Sequence, residues 1–330
     1  MRSVRLHRRP SRRAVTLIMS LGALGLLVGC LPPPPLGPVS RPGRVGSPRY
    51  ADMADPSVLR VGATFYLFGS NAGLRAPVVT TSSLDGSGRR TEAMPSPVPW
   101  SSRPGQLWAP TVGQFGGRFV MFFAADRIDP PDPANPQCIG RAWADGPAGP
   151  YTPEQFPVHC GIDGRGILDP QVFDGPDGQR WLLVAMGNTE VPIQTIKLDD
   201  NANLVTAPFG IYARTHAWEG RFLENPSMVF DPSSNTYVLA YSAGDWWTAG
   251  YSTGVARCAS PLGFCSSSPD GPWISSASGR TGPGGMSFFT AADGGLQGVY
   301  SSFAAGVEGT AAPRAASIVA VGIGGSLSVG

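Results

Sequence analysis

The segment LDPQVFDGPDGQRWLLV at residues 168–184 is one of five similar stretches in the chain. The others are ADPSVLRVGATFYLFG (54–69), WAPTVGQFGGRFVMFF (108–123), ENPSMVFDPSSNTYVLA (224–240) and, more loosely, GPGGMSFFTAADGGLQGVY (282–300). Their aligned prolines, at positions 56, 110, 170, 226 and 283, are 54 to 60 residues apart. Each stretch contains a strand that begins at proline, a turn rich in Gly or Asp, and an aromatic-rich alternating strand. This pattern predicts a β-hairpin.

Repeats of this length indicate a β-propeller. A hairpin and two outer strands make a four-stranded blade of about 50 residues, and five blades account for the roughly 285 residues that follow the N-terminal segment. The 44 Gly and 34 Pro of the chain favour many short strands joined by turns. We therefore predict an all-β, five-bladed β-propeller over residues 45–330.

Acidic residues recur at equivalent positions of the repeats. The innermost strand of each blade lines the central channel, so equivalent residues of different repeats converge on the axis. The residues before the five aligned prolines are Asp55, Ala109, Asp169, Asn225 and Gly282, and Glu224 lies one position earlier in the fourth repeat. Asp and Asn before proline also begin strands simply as turn residues. Three carboxylates among five repeats favour a functional site at one mouth of the channel.

Three converging carboxylates suit the hydrolysis of glycosidic bonds. One carboxyl group stays protonated and gives its proton to the leaving oxygen, while a second is ionised and activates water or attacks the sugar. A third carboxylate raises the pKa of the acid by repulsion between like charges and orients the sugar.

Several short motifs resemble those of glycoside hydrolase family 43. They are Ala54-Asp55-Pro56-Ser57-Val58, Trp108-Ala109-Pro110, Ile167-Leu168-Asp169-Pro170, Glu224-Asn225-Pro226-Ser227 and Tyr241-Ser242-Ala243-Gly244-Asp245, and the similarity extends from about residue 50 to 303. The resemblance implies an inverting hydrolase of arabinose- or xylose-containing polysaccharide. It assigns Asp55 as the general base, Asp169 as the carboxylate that modulates the pKa and orients the substrate, and Glu224 as the general acid.

Further residues are candidate substrate contacts, and among them the resemblance points to Trp108. Trp108 matches the aromatic floor of the sugar site, although a hairpin core role is the alternative. Trp246 could extend a substrate groove or pack within its loop, and Arg165 and Arg257 could hydrogen-bond sugar hydroxyls. The segment 251–265, with Cys258 and Cys265, is similar to an arabinofuranosidase-like subgroup whose loop is closed by that cysteine pair. This similarity favours arabinofuranosidase over xylosidase or endo-arabinanase activity.

The chain departs from the family pattern at three positions. Asn225 stands where Gly is usual beside the acid. Gly285 and Ser301 stand where the fifth blade usually has two histidines, the first of which often contacts a bound cation through water. We therefore predict no cofactor and regard a structural calcium ion in the channel as doubtful.

The N-terminus has the features of an exported lipoprotein. Residues 1–29 contain Arg2, Arg5, His7, Arg8, Arg9, Arg12 and Arg13, no acid, and an apolar stretch from Ala14 to Gly29. This stretch is shorter than the ~20 residues that span a bilayer, so a cleaved signal is favoured over a membrane-spanning anchor. Leu27-Val28-Gly29-Cys30 matches a lipobox, which predicts acylation of Cys30 and a proline-rich linker over 30–44. General secretory and twin-arginine export both remain open.

Charge and cysteines fit an extracytoplasmic protein. Six of the 25 Lys and Arg lie in residues 1–29, so 19 remain against 23 Asp and Glu and the net charge becomes −4. This charge and the absence of a basic run argue against nucleic-acid binding. Four cysteines remain after Cys30, and Cys138–Cys160 with Cys258–Cys265 is the simplest of three pairings; free buried thiols are the alternative.

The leading interpretation is a membrane-tethered, monomeric glycosidase that acts on polysaccharide or oligosaccharide. A glycan-binding lipoprotein that has lost catalysis is the main alternative, favoured by the missing histidines of the fifth blade. A related propeller acting on fructosides fits the Trp-Ala-Pro and Glu-Asn-Pro motifs less well. His159 and His216, the only histidines after the signal, lie in no catalytic or metal-binding spacing.

Overall fold

The computed structural model describes residues 47–70, 74–161, 164–187, 189–267, 271–277, 279–324 and 327–329. The predicted signal peptide, Cys30 and the linker lie outside these residues. The five predicted hairpins are the inner strand pairs of five antiparallel sheets. Within the described ranges, no helix is both long enough and apolar enough to span a membrane.

The strands follow one another in blade order. Blade 1 contains β1 (Ala54–Val61), β2 (Thr64–Ser70), β3 (Pro77–Thr81) and β4 (Arg89–Glu92). Blade 2 contains β5 (Trp108–Phe115), β6 (Arg118–Asp126), β7 (Gln137–Ala144), β8 (Thr152–Pro153) and β9 (His159–Cys160). Blade 3 contains β10 (Ile167–Asp174), β11 (Arg180–Met186), β12 (Ile193–Leu198) and β13 (Phe209–Tyr212).

The last two blades complete the ring. Blade 4 contains β14 (Leu223–Asp231), β15 (Thr236–Ala243), β16 (Ser252–Cys258) and β17 (Cys265–Ser267). Blade 5 contains β18 (Arg280–Thr290), β19 (Leu296–Ala304), β20 (Ala315–Gly322) and β21 (Ser328–Val329). A short 3-10 helix, Ala217–Glu219, precedes blade 4. The innermost strands contact one another in the order β1, β5, β10, β14, β18 and again β1, so the predicted five-bladed propeller is confirmed.

Each second strand is buried on both faces because a blade packs against both of its neighbours. In β6, Phe119, Met121 and Phe123 join a core cluster with residues of blade 1. The alternating residues Val120 and Phe122 join a different cluster with residues of blade 3. Successive side chains of a strand point to opposite faces, so the continuous apolar run of β6 is shared by two cores.

Both predicted disulfides are present. Cys138–Cys160 joins β7 to β9, the fifth strand of blade 2, and Cys258–Cys265 joins β16 to β17. The described cysteines are therefore oxidised, and the alternative of free thiols does not hold.

A β-bulge interrupts the inner strand of every blade. In each bulge one residue has a left-handed backbone, with φ of 43° at Asp55, 46° at Ala109, 53° at Asp169, 49° at Asn225 and 68° at Gly285. A register shift of each inner strand falls at these residues, and β18 has a second shift between Thr281 and Gly284. A bulge re-aims the side chains next to it, which is how the repeat turns its residues toward the axis.

The prediction that Gly282 occupies this position in blade 5 was wrong. Gly284 pairs with Ser301 and Ser287 pairs with Val299, so the bulge encloses Gly285 and Met286. These two residues take the places that Asp55 and Pro56 hold in blade 1. The alignment relied on proline, and in the fifth repeat Met286 replaces proline while Pro283 lies three residues earlier.

The left-handed backbone of Ala109 gives a stability prediction. An L-residue in this conformation costs about 1–2 kcal/mol, a cost that glycine does not incur. We expect Ala109→Gly to raise the free energy of unfolding by about 0.5–1 kcal/mol in urea titrations. The matched control Ala124→Gly, at a buried position of β6, should lower it instead. Equal destabilisation by both substitutions would contradict the argument.

Candidate active site

The five bulges surround a small axial cavity. It is lined by the five left-handed residues, the four repeat prolines, and Gln171, Met286 and Ser287. Its volume is about 10 Å³, which is room for about one water molecule. Asp55 and Asp169, which the sequence predicted to converge, both lie on its wall.

Glu224 lies directly before the bulge of blade 4. Its side chain is 9% exposed, and its Oε1 accepts a hydrogen bond of 2.8 Å from the hydroxyl of Tyr251. Trp108 directly precedes the bulge of blade 2 in the same way and is half-buried. The acid and the aromatic residue predicted from the sequence therefore hold equivalent positions in two blades.

Asn225 contacts the other members of the site. Its backbone N–H donates to Oδ2 of Asp169 at 2.9 Å. Its side-chain Nδ2 donates to Oδ1 of Asp55 at 3.2 Å and to the hydroxyl of Tyr251 at 3.1 Å. The three predicted carboxylates thus belong to one hydrogen-bonded network, two of them directly and Glu224 through Tyr251.

Asp55 is also held by a neighbour on β2. The hydroxyl of Ser70 donates to Asp55 Oδ2 at 2.5 Å and accepts from the backbone N–H of Ala109 at 2.9 Å. Each carboxylate oxygen of Asp55 therefore accepts one hydrogen bond, and the spare lone pairs remain for a water molecule.

Burial sets the protonation state of the acid. The pKa of Glu224 is raised to about 7, mainly by burial and further by the negative charge of Asp55, against the opposing hydrogen bond from Tyr251. The pKa of Asp169 is also raised well above its usual value, by burial and then by the charges of Glu224 and Asp55. A carboxyl group that keeps its proton near neutral pH can act as a general acid.

The sequence analysis missed a buried arginine of blade 5 that lies beside the ring of Tyr251. Arg314 is 7% exposed, and its guanidinium lies 5.3 Å from the ring of Tyr251 and 4.4 Å from that of Phe303. It donates to the carbonyl oxygens of Gly282, Ser301 and Trp246 and to the hydroxyl of Ser301. Its charge lowers the pKa of Glu224 and partly offsets burial.

The other predicted substrate contacts lie near the mouth with one exception. Trp246 is in the loop between β15 and β16, 36% exposed, with its ring 5.5 Å from that of Trp247. Arg165 is half-buried in the loop that leads into β10. Arg257 is the exception, because it forms a buried ion pair of 2.7 Å with Asp231, at the end of β14 opposite Glu224. A sugar contact by Arg257 is therefore ruled out.

The residues present do not fit a calcium ion in the channel. The positions of the usual histidines hold Gly285, which has no side chain, and Ser301, whose hydroxyl accepts from the guanidinium of Arg314. Across the part of the chain that the structure describes, no group of three His, Cys, Asp or Glu could hold a metal ion.

Comparisons with known proteins identify the family. The model of glycosyl hydrolases family 43 matches residues 50–321. An extracellular endo-α-(1→5)-L-arabinanase of Thermotoga petrophila is 28% identical over 244 residues, which cover 65% of this chain and 50% of that protein. Extracellular endo-α-(1→5)-L-arabinanase 2 of Bacillus subtilis is 25% identical over 244 residues, covering 66% of this chain and 49% of that protein. The chain thus spans about half the length of these curated relatives.

A solved structure shares the fold. The crystal structure of a thermostable family-43 glycoside hydrolase superposes with a TM-score of 0.72 at 21% identity. The match covers 88% of this chain and 96% of that one. The two proteins therefore share the propeller fold.

Proposed function

The chain belongs to glycosyl hydrolase family 43, and from this premise we propose that it hydrolyses α-L-arabinofuranosyl or β-D-xylosyl linkages in arabinose- or xylose-containing polysaccharide. The observation that carries the proposal is Glu224, a buried carboxyl group with its pKa raised to about 7 by burial and by the charge of Asp55. It shares a hydrogen-bonded network with Asp55. This shared network supports the assignment of Glu224 as the acid and Asp55 as the base.

In the proposed mechanism, Asp55 removes a proton from a water molecule as the water oxygen attacks the anomeric carbon. The glycosidic C–O bond breaks, and Glu224 gives its proton to the leaving oxygen. Asp169 holds Asn225 through the backbone N–H and orients the sugar. Trp108 provides the apolar floor, and Trp246 and Arg165 contact sugar units further along the groove.

We infer inversion at the anomeric carbon. Hydrogen bonds of 3.2, 3.1 and 2.8 Å lead from Asp55 Oδ1 through Asn225 and Tyr251 to Glu224 Oε1. The two oxygens are therefore at most about 9 Å apart, a limit that admits both the ~5 Å of a retaining enzyme and the ~6.5–9.5 Å of an inverting one. The inference of inversion therefore rests on the family resemblance.

Arabinose is the preferred sugar in this proposal. The disulfide loop 258–265 supports it, as does the similarity to two proteins described as arabinanases. We also propose that the protein is an extracytoplasmic lipoprotein held at the membrane by acylated Cys30 through its proline-rich linker. Incorporation of labelled palmitate that disappears in Cys30→Ala would support the anchor, and equal labelling of both proteins would refute it.

Turnover and stereochemistry test the proposal together. The purified protein is incubated with aryl α-L-arabinofuranoside, aryl β-D-xyloside, and arabinan and xylan oligosaccharides. We expect hydrolysis of the arabinosides, and proton NMR in the first minutes should show the inverted anomer. A retained anomer would overturn the mechanism. A protein that binds these glycans but cleaves none of them would instead be the glycan-binding lipoprotein.

A further inference from the structure

The backbone conformation at position 225 does not require the side-chain amide that Asn225 has there. Its φ of 49° is left-handed, a conformation that glycine adopts most easily and Asn tolerates better than most residues. Glycine would therefore satisfy the bulge. The Asn225 side chain is nonetheless buried, at 8% exposure, and its amide nitrogen donates to two different groups of the site.

The direction of these hydrogen bonds follows from the partners. Asp55 offers only acceptor oxygens when ionised, so Asn225 presents its Nδ2 rather than its carbonyl oxygen. Tyr251 has one hydroxyl proton and donates it to Glu224. It must then accept from the second N–H of Asn225. The donors run in one order, from Asn225 to Tyr251 to Glu224.

Burial keeps this order stable. The pKa of Tyr251 is raised well above its usual value by burial and then by the charge of Glu224. Tyr251 therefore keeps its proton throughout the neutral range and remains a donor to Oε1 of Glu224.

We propose that Asn225 is a positioning residue that ties the base to the acid through its side-chain amide. One N–H holds Oδ1 of Asp55, while Ser70 holds Oδ2. The other N–H orients the hydroxyl of Tyr251 so that Oε1 of Glu224 is an acceptor. Oε2 of Glu224 is then the oxygen that carries the proton to the leaving group. This inference rests on the proposed glycosidase function.

Three substitutions in the full chain separate the side chain from the backbone. Asn225→Gly keeps the left-handed backbone and the N–H to Asp169 but removes the amide. Asn225→Asp keeps the shape and places a like charge beside Asp55. Tyr251→Phe removes only the hydroxyl between Asn225 and Glu224. The matched control is Asn235→Gly, since Asn235 is an exposed turn residue with a φ of 52°.

We expect Asn225→Gly to lower kcat about tenfold with little change in KM, because a hydrogen bond to a charged group is lost. The basic limb of its pH profile should move to higher pH, because a Tyr251 hydroxyl that Asn225 no longer orients lowers the pKa of Glu224 less. Asn225→Asp should lose more activity than Asn225→Gly, and Asn235→Gly none. Combining Asn225→Gly with Tyr251→Phe should cost less than the product of the two single losses, because both break one chain.

Carboxyl titration by carbon-13 NMR tests the same idea without turnover. The signal of Glu224 is assigned from the Glu224→Gln spectrum, and its titration is compared between the unmodified protein and Asn225→Gly. A shifted titration supports the positioning role even if no substrate is cleaved. An unchanged titration overturns the inference, as does an active protein in which Asn225→Gly keeps the original kcat and pH profile.

Discussion

We expect Glu224→Gln to lower kcat/KM on arabinan oligosaccharides by about 10²–10⁴, the range that a positioned general acid contributes. Glutamine keeps the shape of the side chain and can still accept from Tyr251, but it has no proton to give. The loss should be much smaller on an aryl glycoside with an acidic phenol, because that leaving group departs without protonation. Steady-state rates on the two substrate types measure the difference.

The raised pKa of Glu224 also predicts how activity changes with pH. Glu224 must be protonated to act, and its pKa is raised to about 7 by burial and by the charge of Asp55. Activity of the unmodified protein is therefore retained below this pH and falls as the pH rises through about 7. Glu224→Gln should lose this basic limb. The control Glu154→Gln, on the outer part of blade 2, should keep it; an unchanged limb in Glu224→Gln would assign the acid elsewhere.

Asp55→Asn should lower turnover by a similar factor on every substrate, whatever its leaving group. Asparagine tolerates the left-handed backbone at this position. Its one side-chain oxygen can still accept from Asn225, while its amide nitrogen faces the hydroxyl oxygen of Ser70 and donates to it, so the fold is preserved. The variant has no carboxylate to take a proton from water. We expect kcat to fall about 10³-fold, within the usual contribution of a general base.

Azide distinguishes a missing base from a damaged site. This small anion attacks without losing a proton, so its addition should restore part of the turnover of Asp55→Asn and yield a glycosyl azide detectable by mass spectrometry. The control Asp293→Asn, on the exposed hairpin turn of blade 5, should retain full activity. Loss of substrate binding in Asp55→Asn, with no rescue by azide, would contradict the assignment of Asp55.

The fold was predictable because each blade repeats a recognisable inner hairpin. Proline marked the bulge correctly in four blades. The alignment misplaced the bulge only in the fifth blade, where Met286 rather than proline follows Gly285. The convergence of Asp55 and Asp169 followed from the same alignment. Alignment of the repeats therefore identifies the site residues that lie on the inner strands.

The rest of the site was not visible because it comes from outside the repeated motif. Ser70 lies at the end of a second strand, Tyr251 immediately before β16, and Arg314 immediately before β20. A lone hydroxyl or guanidinium at these positions has no sequence pattern that distinguishes it from a surface residue. Asn225 was noticed only as a departure from glycine, and its contacts needed coordinates.

The sharing of β6 between two cores has a thermodynamic consequence. In an open array of repeats, a terminal unit can unravel while the others persist. Here, removing any blade would expose to water the apolar side chains of both neighbouring blades. The ring also offers no terminal unit from which unfolding could begin. The domain described by residues 47–329 is therefore expected to denature cooperatively, in one calorimetric transition.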